Sequence, residues 1–253
     1  MRKNIAAGNW KMNTSPASAR ELVQGVLAGY KSYSGGAEVI FSPPMPFLAM
    51  VAEGVGDTPG VHVAAQNLHQ AESGAYTGET AASMLTAIGV SHVLIGHSER
   101  REYFHEDNAL LAAKIDRALA HGLTPIYCIG ETLQQREAGQ MLDVIRTQVS
   151  EGAFHLDAAA FGKLVIAYEP VWAIGTGVTA SPEQAQEVHQ FIRSLITEKY
   201  GDAVANDTSI LYGGSVKPDN AAELFAKPDI DGGLVGGASL KAADFVAIIH
   251  ALD

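Results

Sequence analysis

The sequence has almost no cysteine, no long apolar run and no cluster of basic residues, and each absence narrows what the protein can be. Its 253 residues include a single cysteine, Cys128, which excludes an internal disulfide framework. No apolar stretch reaches the ~18 residues that a membrane-spanning helix needs. The formal charge is −11 with no basic run, which argues against nucleic acid or an anionic membrane as a partner. We therefore expect a cytoplasmic protein.

Short apolar segments recur along the whole chain, with helical patterns between them. Because strands and helices alternate, we expect a parallel sheet, and eight repeats in about 250 residues favour a closed barrel over an open sheet. No linker or shift in composition divides the chain, so we expect one α/β domain over residues 1–253. The predicted strands lie near Asn4–Ala7, Glu38–Ser42, Val61–Ala65, His92–Ile95, Thr124–Ile129, Leu164–Tyr168, Ser209–Tyr212 and Gly233–Val235.

Capping residues mark several helix starts. Thr14-Ser15-Pro16 predicts a helix towards Tyr30, and Thr80 is expected to cap a short helix. Asp107 is the expected cap of a helix over Asn108–His121. Ser181-Pro182-Glu183-Gln184 has the pattern of a capping box, with Ser181 as the cap.

The sixth predicted strand ends in an acidic residue. Leu164–Tyr168 is an unbroken apolar run, Glu169 follows it, and Pro170 ends the ladder. A loop with two glycines then leads to the helix that Ser181 caps. A carboxylate at the carboxyl end of a barrel strand is typical of a catalytic base, although an ordinary glutamate at a strand end is the alternative.

Other candidate residues also follow predicted strands. Asn9 and Lys11 follow the first strand and could present a donor and a positive charge to an anion, although most lysines are simply solvated. His97 follows the fourth strand. Glycine pairs follow the last two strands, at Gly213-Gly214 and Gly236-Gly237, where barrels bind phosphate with backbone amides.

The connection after the third strand is unusually long. Its polar segment Ser73–Glu79 exceeds the usual 2–6 residues of such a loop. A loop of this length indicates either a function or a partner, and a solvated loop is the alternative.

Five motifs, taken together and in order, closely resemble the triosephosphate isomerase family. The resemblance covers the whole chain and implies an eight-stranded parallel (β/α)8 TIM barrel. It also implies interconversion of dihydroxyacetone phosphate and glyceraldehyde 3-phosphate through an enediolate, with no cofactor and no metal. The motifs are Gly8-Asn9-Trp10-Lys11-Met12-Asn13, Gly96-His97-Ser98-Glu99-Arg100-Arg101, the segment Ala167 to Gly177, Tyr212-Gly213-Gly214-Ser215 and Leu234-Val235-Gly236-Gly237-Ala238-Ser239.

The resemblance assigns chemical roles residue by residue. It implies that Glu169 is the base and that His97, as a neutral imidazole, polarises the carbonyl and shuttles protons. Lys11 and Asn9 would stabilise the negative charge of the enediolate. Backbone amides would bind the phosphate group, at Gly175, Ser215, Gly236 and Gly237.

The resemblance also implies supporting residues and a partner. Ser98 would hold Glu169 before a lid closes, Glu99 would orient Lys11, and Ile174 and Leu234 would press on the base. The lid is the loop from Pro170 to Ala180, with Pro170, Trp172, Gly175 and Gly177 as its main residues and Glu131 as the expected partner of Trp172. The chain would form a homodimer, in which the Ser73–Glu79 loop inserts Thr77 beside Asn9 and Lys11 of the partner.

Two other readings are compatible with a barrel. Another phosphate-binding barrel enzyme, such as a class I aldolase, would need a Schiff-base lysine near the carboxyl end of an inner strand. Lys163 precedes the sixth strand and so lies at the wrong end. The chain could instead be a catalytically silent barrel that acts as a dimeric binding protein, but Lys11, His97 and Glu169 together argue against that.

Overall fold

Eight parallel strands form a closed barrel in chain order. The computed structural model describes residues 2–31, 33, 35–174 and 179–252. Neighbouring strands pair in parallel register around the ring, and the first strand pairs with both the second and the eighth. The strands are β1 (Ile5–Asn9), β2 (Glu38–Ser42), β3 (Val61–Ala65), β4 (His92–Ile95), β5 (Thr124–Ile129), β6 (Val165–Tyr168), β7 (Ile210–Tyr212) and β8 (Gly232–Val235).

Helices cover the outside of the barrel. They are α1 (Pro16–Tyr30), α2 (Leu48–Val55), α3 (Ala82–Ala87), α4 (Ser98–Tyr103), α5 (Asn108–Ala120), α6 (Leu133–Glu137), α7 (Met141–Ala153), α8 (Ala158–Phe161), α9 (Pro182–Tyr200), α10 (Asp202–Asp207), α11 (Ala221–Phe225) and α12 (Ala242–His250). Short 3₁₀ turns occur at Met45–Phe47, Val171–Ala173 and Gly237–Leu240. The predicted fold class, an α/β barrel of eight parallel strands, is confirmed.

Alternate residues of each strand contribute to two apolar cores, because successive side chains of a strand point to opposite faces. One set fills the barrel interior and includes Ile40, Leu94 and Ile126. The other packs between strands and helices and includes Phe41, Val93 and Tyr127. Both faces of the strands are therefore buried, which explains why the strands are apolar runs rather than alternating patterns.

Four strands have the predicted bounds, and the others differ by one or two residues at an end. The largest difference is in β1, which continues to Asn9 because Gly8 and Asn9 pair with Phe41 and Ser42. Asn9 thus belongs to the strand rather than to the loop after it.

Most of the predicted helix caps are present. The side chains of Ser15, Asp107 and Ser181 each accept a backbone N–H at the start of their helices, as predicted. The prediction for Thr80 is wrong: α3 begins after Ala81, and no side chain caps it. No helix within the described ranges is both long and apolar enough to cross a membrane.

Candidate active site

Glu169 follows β6 directly and is buried, with only 2% of its surface exposed. Its Oε2 atom accepts the backbone N–H of Ser98 at 2.9 Å. Its Oε1 atom lies 3.1 Å from Nε2 of His97. At the wall of a cavity, the carboxylate therefore has one hydrogen bond and one close contact with an imidazole nitrogen.

This cavity has a volume of about 340 Å³ and opens at the carboxyl ends of the strands. We call it the substrate cavity. It brings together residues from the first, fourth, sixth, seventh and eighth strand ends, which lie far apart in the sequence. Its lining includes Asn9, Lys11, His97, Glu169, Ile174, Gly213, Gly214, Ser215, Leu234, Gly236 and Gly237.

His97 precedes α4 and is held by the start of that helix. Its Nδ1 atom accepts the backbone N–H of Glu99 at 3.2 Å, so Nδ1 carries no proton. The proton of a neutral ring is then on Nε2, which lies beside Oε1 of Glu169. This pattern is that of a neutral imidazole whose N–H points at the substrate cavity.

Lys11 has an unusual backbone conformation, with φ at +51°. Two side chains stabilise it: Oδ1 of Asn9 accepts the Lys11 N–H at 2.9 Å, and Nε2 of Gln66 donates to the Lys11 carbonyl at 2.9 Å. A strained backbone conformation of this kind persists only where the surrounding contacts hold it in place. The ammonium group of Lys11 lies 2.7 Å from Oε1 of Glu99, which is the contact that the resemblance implies.

The far end of the substrate cavity consists mainly of backbone. Ser215, Gly236 and Gly237 line it, and Gly237 begins a 3₁₀ turn. Ser239 fixes this turn, because both its N–H and its hydroxyl donate to the carbonyl of Gly236. Closely spaced amides at such a turn suit a phosphate group. Gly175 and Gly177, which the sequence also assigns to phosphate binding and to the lid, lie outside the described residues.

The segment after Glu169 is anchored at Pro170 and Trp172. The indole of Trp172 donates to Oε1 of Glu131 at 2.9 Å, as the resemblance implies. Tyr168 and Arg136 also donate to the same oxygen, at 3.1 and 2.9 Å. The Glu131 carboxylate thus joins the end of β6 to the first residues of the predicted lid.

Two glycines and a glutamine support the site, and no sequence signal indicates their contacts with Glu169 and Lys11 beforehand. Gly213 is predicted only as part of a glycine pair that binds phosphate. Gly130 and Gly213 flank Glu169. A Cβ atom at Gly130 would overlap the carbonyl oxygen of Glu169, and one at Gly213 would lie 2.8 Å from its Cγ. Gln66, which holds the Lys11 backbone, is likewise an ordinary loop residue in the sequence. Glycine and glutamine are common in loops, so their roles depend on the packing.

Lys163 and Lys114 do not fit the requirements of a Schiff-base lysine in an aldolase. Lys163 is exposed and precedes β6, at the end of the barrel opposite to Glu169. Lys114 is buried, but it lies in α5, and its ammonium group contacts Glu106 and Asn67 at 2.7 Å each. Burial lowers the pKa of Lys114 below its usual value. Neither lysine lines the substrate cavity.

Comparison with known proteins gives a consistent result. Residues 4–252 match the family model described as triosephosphate isomerase. The chain is 52% identical to the triosephosphate isomerase of Flavobacterium johnsoniae over 252 residues, which cover 100% of both chains. It is 52% identical to that of Bacteroides fragilis over 253 residues, again 100% of both, and 53% identical to that of Cytophaga hutchinsonii over 249 residues, 98% of both.

Proposed function

The chain belongs to the triosephosphate isomerase family, and on that premise we propose that it interconverts dihydroxyacetone phosphate and D-glyceraldehyde 3-phosphate. The two compounds are isomers. The reaction moves one proton between adjacent carbons and one between adjacent oxygens, and it needs neither a redox carrier nor a group carrier. The observation that carries the proposal is the buried carboxylate of Glu169, which lies 3.1 Å from the imidazole of His97 in the wall of one small cavity.

In the proposed mechanism Glu169 removes a proton from the hydroxymethyl carbon beside the carbonyl group. The electron pair of that C–H bond forms the carbon–carbon double bond, and the carbonyl electrons move to oxygen to give an enediolate. For this step the carboxylate exchanges its hydrogen bond to the Ser98 N–H and its contact with His97 for contact with the substrate. Glu169 then returns the proton to the neighbouring carbon, which produces the aldehyde.

The other side chains act on the oxygens. The N–H of His97 donates to the carbonyl oxygen and moves a proton between the two oxygens. Asn9 supplies an amide, and Lys11 supplies the positive charge nearest to the developing enediolate. Fixed donors and charges of this kind stabilise a transition state because they need no reorganisation as the charge develops.

The phosphate group is proposed to bind at Ser215, Gly236 and Gly237, together with Gly175. Ile174 and Leu234 line the same cavity as Glu169 and supply apolar surface beside the base. The role of the loop from Pro170 to Ala180 as a lid stays a prediction.

A coupled assay with each triose phosphate tests the reaction. We expect isomerisation in both directions by the purified protein without added cofactor. Incubation with dihydroxyacetone phosphate and borohydride distinguishes the aldolase reading, because borohydride would trap a Schiff base as a stable adduct. We expect no adduct by mass spectrometry; an adduct without isomerisation would favour the aldolase, and inactivity with both substrates would favour the silent barrel.

We also propose that the protein is a homodimer, since a second cavity lies directly behind the active residues. This cavity of about 600 Å³, which we call the interface cavity, shares Asn9, Lys11 and His97 with the substrate cavity. Large exposed apolar side chains surround it. Such side chains are rarely clustered on the surface of a monomer, so the cluster supports a contact with a partner. They are Met12, Met45, Tyr103 and Phe104, and Met12 is 94% exposed.

The Ser73–Glu79 loop is the proposed occupant of the partner's interface cavity. Its residues are exposed, and its ends are joined by the bond from the His69 N–H to the Thr80 carbonyl. The ring of Tyr76 packs against that of His69, with centroids 4.2 Å apart and planes tilted by 38°, which stiffens the loop before binding. Thr77 at its tip would reach the back of Asn9 and Lys11.

We place the protein in the cytoplasm, where phosphorylated trioses are produced and retained.

A further inference from the structure

The edge of β5 extends beyond the strand beside it. β4 pairs with β5 as far as Ile95, opposite Tyr127, and the chain then turns away at Gly96, where φ is +77°. β5 continues to Ile129 and leads directly into Gly130. Beyond the Ile95–Tyr127 pair, the Cys128 carbonyl and both backbone groups of Gly130 face this side without a strand partner, and buried backbone groups of this kind must find another.

Side chains replace the missing strand. Gln148 of α7 uses both ends of its amide: its Oε1 atom accepts the Gly130 N–H at 2.7 Å, and its Nε2 atom donates to the Gly130 carbonyl at 3.0 Å. Arg101 donates to the Cys128 carbonyl at 3.0 Å. A glutamine side chain has the donor and acceptor of a peptide group, so it can continue the ladder at one residue.

Gln148 is itself held from both directions. The hydroxyl of Tyr127, a β5 residue, donates to the Gln148 backbone carbonyl at 2.7 Å. The main chain of Gln148 is thus fixed to β5 while its side chain is fixed to Gly130. The Gly130 peptide cannot shift without breaking these bonds.

The other side of the same segment contacts the base. The carbonyl of Ile129 accepts the N–H of Glu169 at 2.7 Å, and the carbonyl of Glu131 accepts the N–H of Val171 at 3.1 Å. Between these bonds Gly130 packs so closely on the Glu169 carbonyl that no Cβ atom fits. The position of the Glu169 backbone therefore follows the position of Gly130.

We propose that Gln148 is a positioning residue for the isomerisation: it fixes Gly130, and Gly130 fixes the backbone from which the Glu169 carboxylate reaches the substrate. This proposal rests on the proposed role of Glu169 as the base. Gln148 does not line the substrate cavity; it lines a neighbouring cavity of about 710 Å³ on the other side of Gly130. Its effect therefore passes through Gly130 and involves no contact with the substrate.

The test compares Gln148→Met with Gln140→Met. Methionine has nearly the size of glutamine but makes neither hydrogen bond to Gly130. Gln140 lines the same neighbouring cavity, and its side chain does not cap α7, so its variant serves as the matched control. Each protein is assayed with dihydroxyacetone phosphate carrying hydrogen or deuterium at the carbon that loses the proton.

For Gln148→Met we expect kcat to fall by roughly tenfold to a hundredfold, because a misplaced base loses reaction geometry. KM should change by less than about twofold, because substrate binding groups are untouched. The deuterium isotope effect on kcat should increase, since proton transfer becomes slower relative to the other steps. Gln140→Met should behave as the wild type in all three measurements.

A second variant tests the contact itself. Gly130→Ala inserts the Cβ atom that overlaps the Glu169 carbonyl, and it should produce the same signature of reduced kcat, steady KM and larger isotope effect. If Gln148→Met does not fold, Gln148→Glu, which keeps an acceptor for the Gly130 N–H, takes its place. A folded Gln148 variant with the kcat and isotope effect of the wild type would overturn the proposal. An inactive wild type would instead refute the proposed function.

Discussion

Three histidines of the described residues are buried, and the neighbours of two of them, His97 and His92, give those two different properties. His97 is surrounded by donors and acceptors that specify one tautomer: a backbone N–H faces Nδ1 and a carboxylate faces Nε2. His92 lies in β4, near the opposite end of the barrel, with its ring 4.9 Å from that of His62. Burial, with lesser contributions from His62 and Lys3, lowers the pKa of His92 to about 3.

The tautomer of His97 is directly measurable. In ¹⁵N-labelled protein at pH 7 we expect Nε2 to have the chemical shift of a protonated ring nitrogen and Nδ1 that of an unprotonated one. Signals that disappear in His97→Gln identify the residue. A protonated Nδ1 at this pH would be incompatible with the bond from the Glu99 N–H.

The buried state of His92 predicts a dependence of stability on pH. The unfolded chain binds a proton at this residue below about pH 6.5, whereas the folded protein does not until about pH 3. Stability is therefore present above pH 6.5 and is lost as the pH falls towards 3, by up to ~1.4 kcal/mol per pH unit for this group. Urea unfolding of the wild type and of His92→Gln, at pH 7, 6, 5 and 4, measures the difference in slope.

The exposed His105 provides the control for that experiment. Its φ is +55°, a conformation that asparagine tolerates, so His105→Asn should keep the pH slope of the wild type. Equal slopes for the wild type and His92→Gln would show that His92 does not supply the expected proton uptake.

At the scale of single residues, the sequence predicts the proposed catalytic side chains better than the residues that hold them in position. Glu169, His97 and Lys11 are recognisable because charged or titratable residues stand next to strand ends. Gly130 and Gln148 are not, and Gly213 is predicted only as part of a phosphate-binding pair, since their contacts join segments that are distant in the sequence. Packing, rather than local pattern, determines those contacts.

Elements of the barrel are joined by one arginine as well as by apolar contacts. Arg193 of α9 donates to the carboxylates of Asp229 and Asp231, 2.6 and 2.8 Å away. It also donates to the carbonyls of Ala205 and Thr208, at the end of α10 and before β7. Burial raises the pKa of Asp231 above its usual value, and the neighbouring guanidinium groups oppose that shift.

Removal of Arg193 should strongly destabilise the fold. Arg193→Met leaves the buried Asp231 carboxylate, the partly buried Asp229 carboxylate and three carbonyls without this donor. Breaking a buried ion pair typically costs ~3–5 kcal/mol. Arg146→Met is the matched control, because Arg146 and Glu198 are both at least half exposed and 3.7 Å apart. An exposed pair contributes about 0–1 kcal/mol. Urea unfolding measures both, and equal losses would contradict this view of Arg193.

The sequence predicts strands and helix starts well where a local residue pattern marks them. Apolar runs locate every strand, and Ser15, Asp107 and Ser181 mark helix starts because their side chains can accept a free N–H. Thr80 is the same kind of capping residue, but α3 begins at Ala82, one residue too late for Thr80 to be its N-cap. The sequence also predicts the end of β1 two residues too early, at Ala7, since glycine and asparagine usually end strands. Pairing with β2 extends β1 to Asn9.

At the scale of the whole molecule, the apolar side chains around the interface cavity form an exposed patch that a partner subunit would cover. Phe104→Glu places a charge in the centre of the proposed dimer contact, so we expect monomers by sedimentation velocity and much lower turnover. Leu133→Glu is the control, because Leu133 is a similarly exposed apolar residue outside that cavity. A wild-type protein that sediments as a fully active monomer at micromolar concentration would refute the proposed dimer.

The charge of the molecule fits a locally built anion site. The chain has a formal charge of −11, so its overall field does not attract a phosphorylated substrate. Binding must depend on short-range donors, which in the substrate cavity include Lys11, Lys217 and the amides near Gly236 and Gly237. This arrangement could be predicted from the glycine pairs, whereas the cavity that joins them to Lys11 required the closed barrel.

The most direct test of the account measures turnover of glyceraldehyde 3-phosphate by Glu169→Gln. The substitution keeps the shape of the side chain and removes the base, so kcat should fall by at least ~10²–10⁴ with the barrel intact by circular dichroism. Glu102→Gln, an exposed glutamate of α4, should retain wild-type turnover. Folded Glu169→Gln protein with near-wild-type turnover would contradict the assignment of Glu169 as the base, and with it the proposed mechanism.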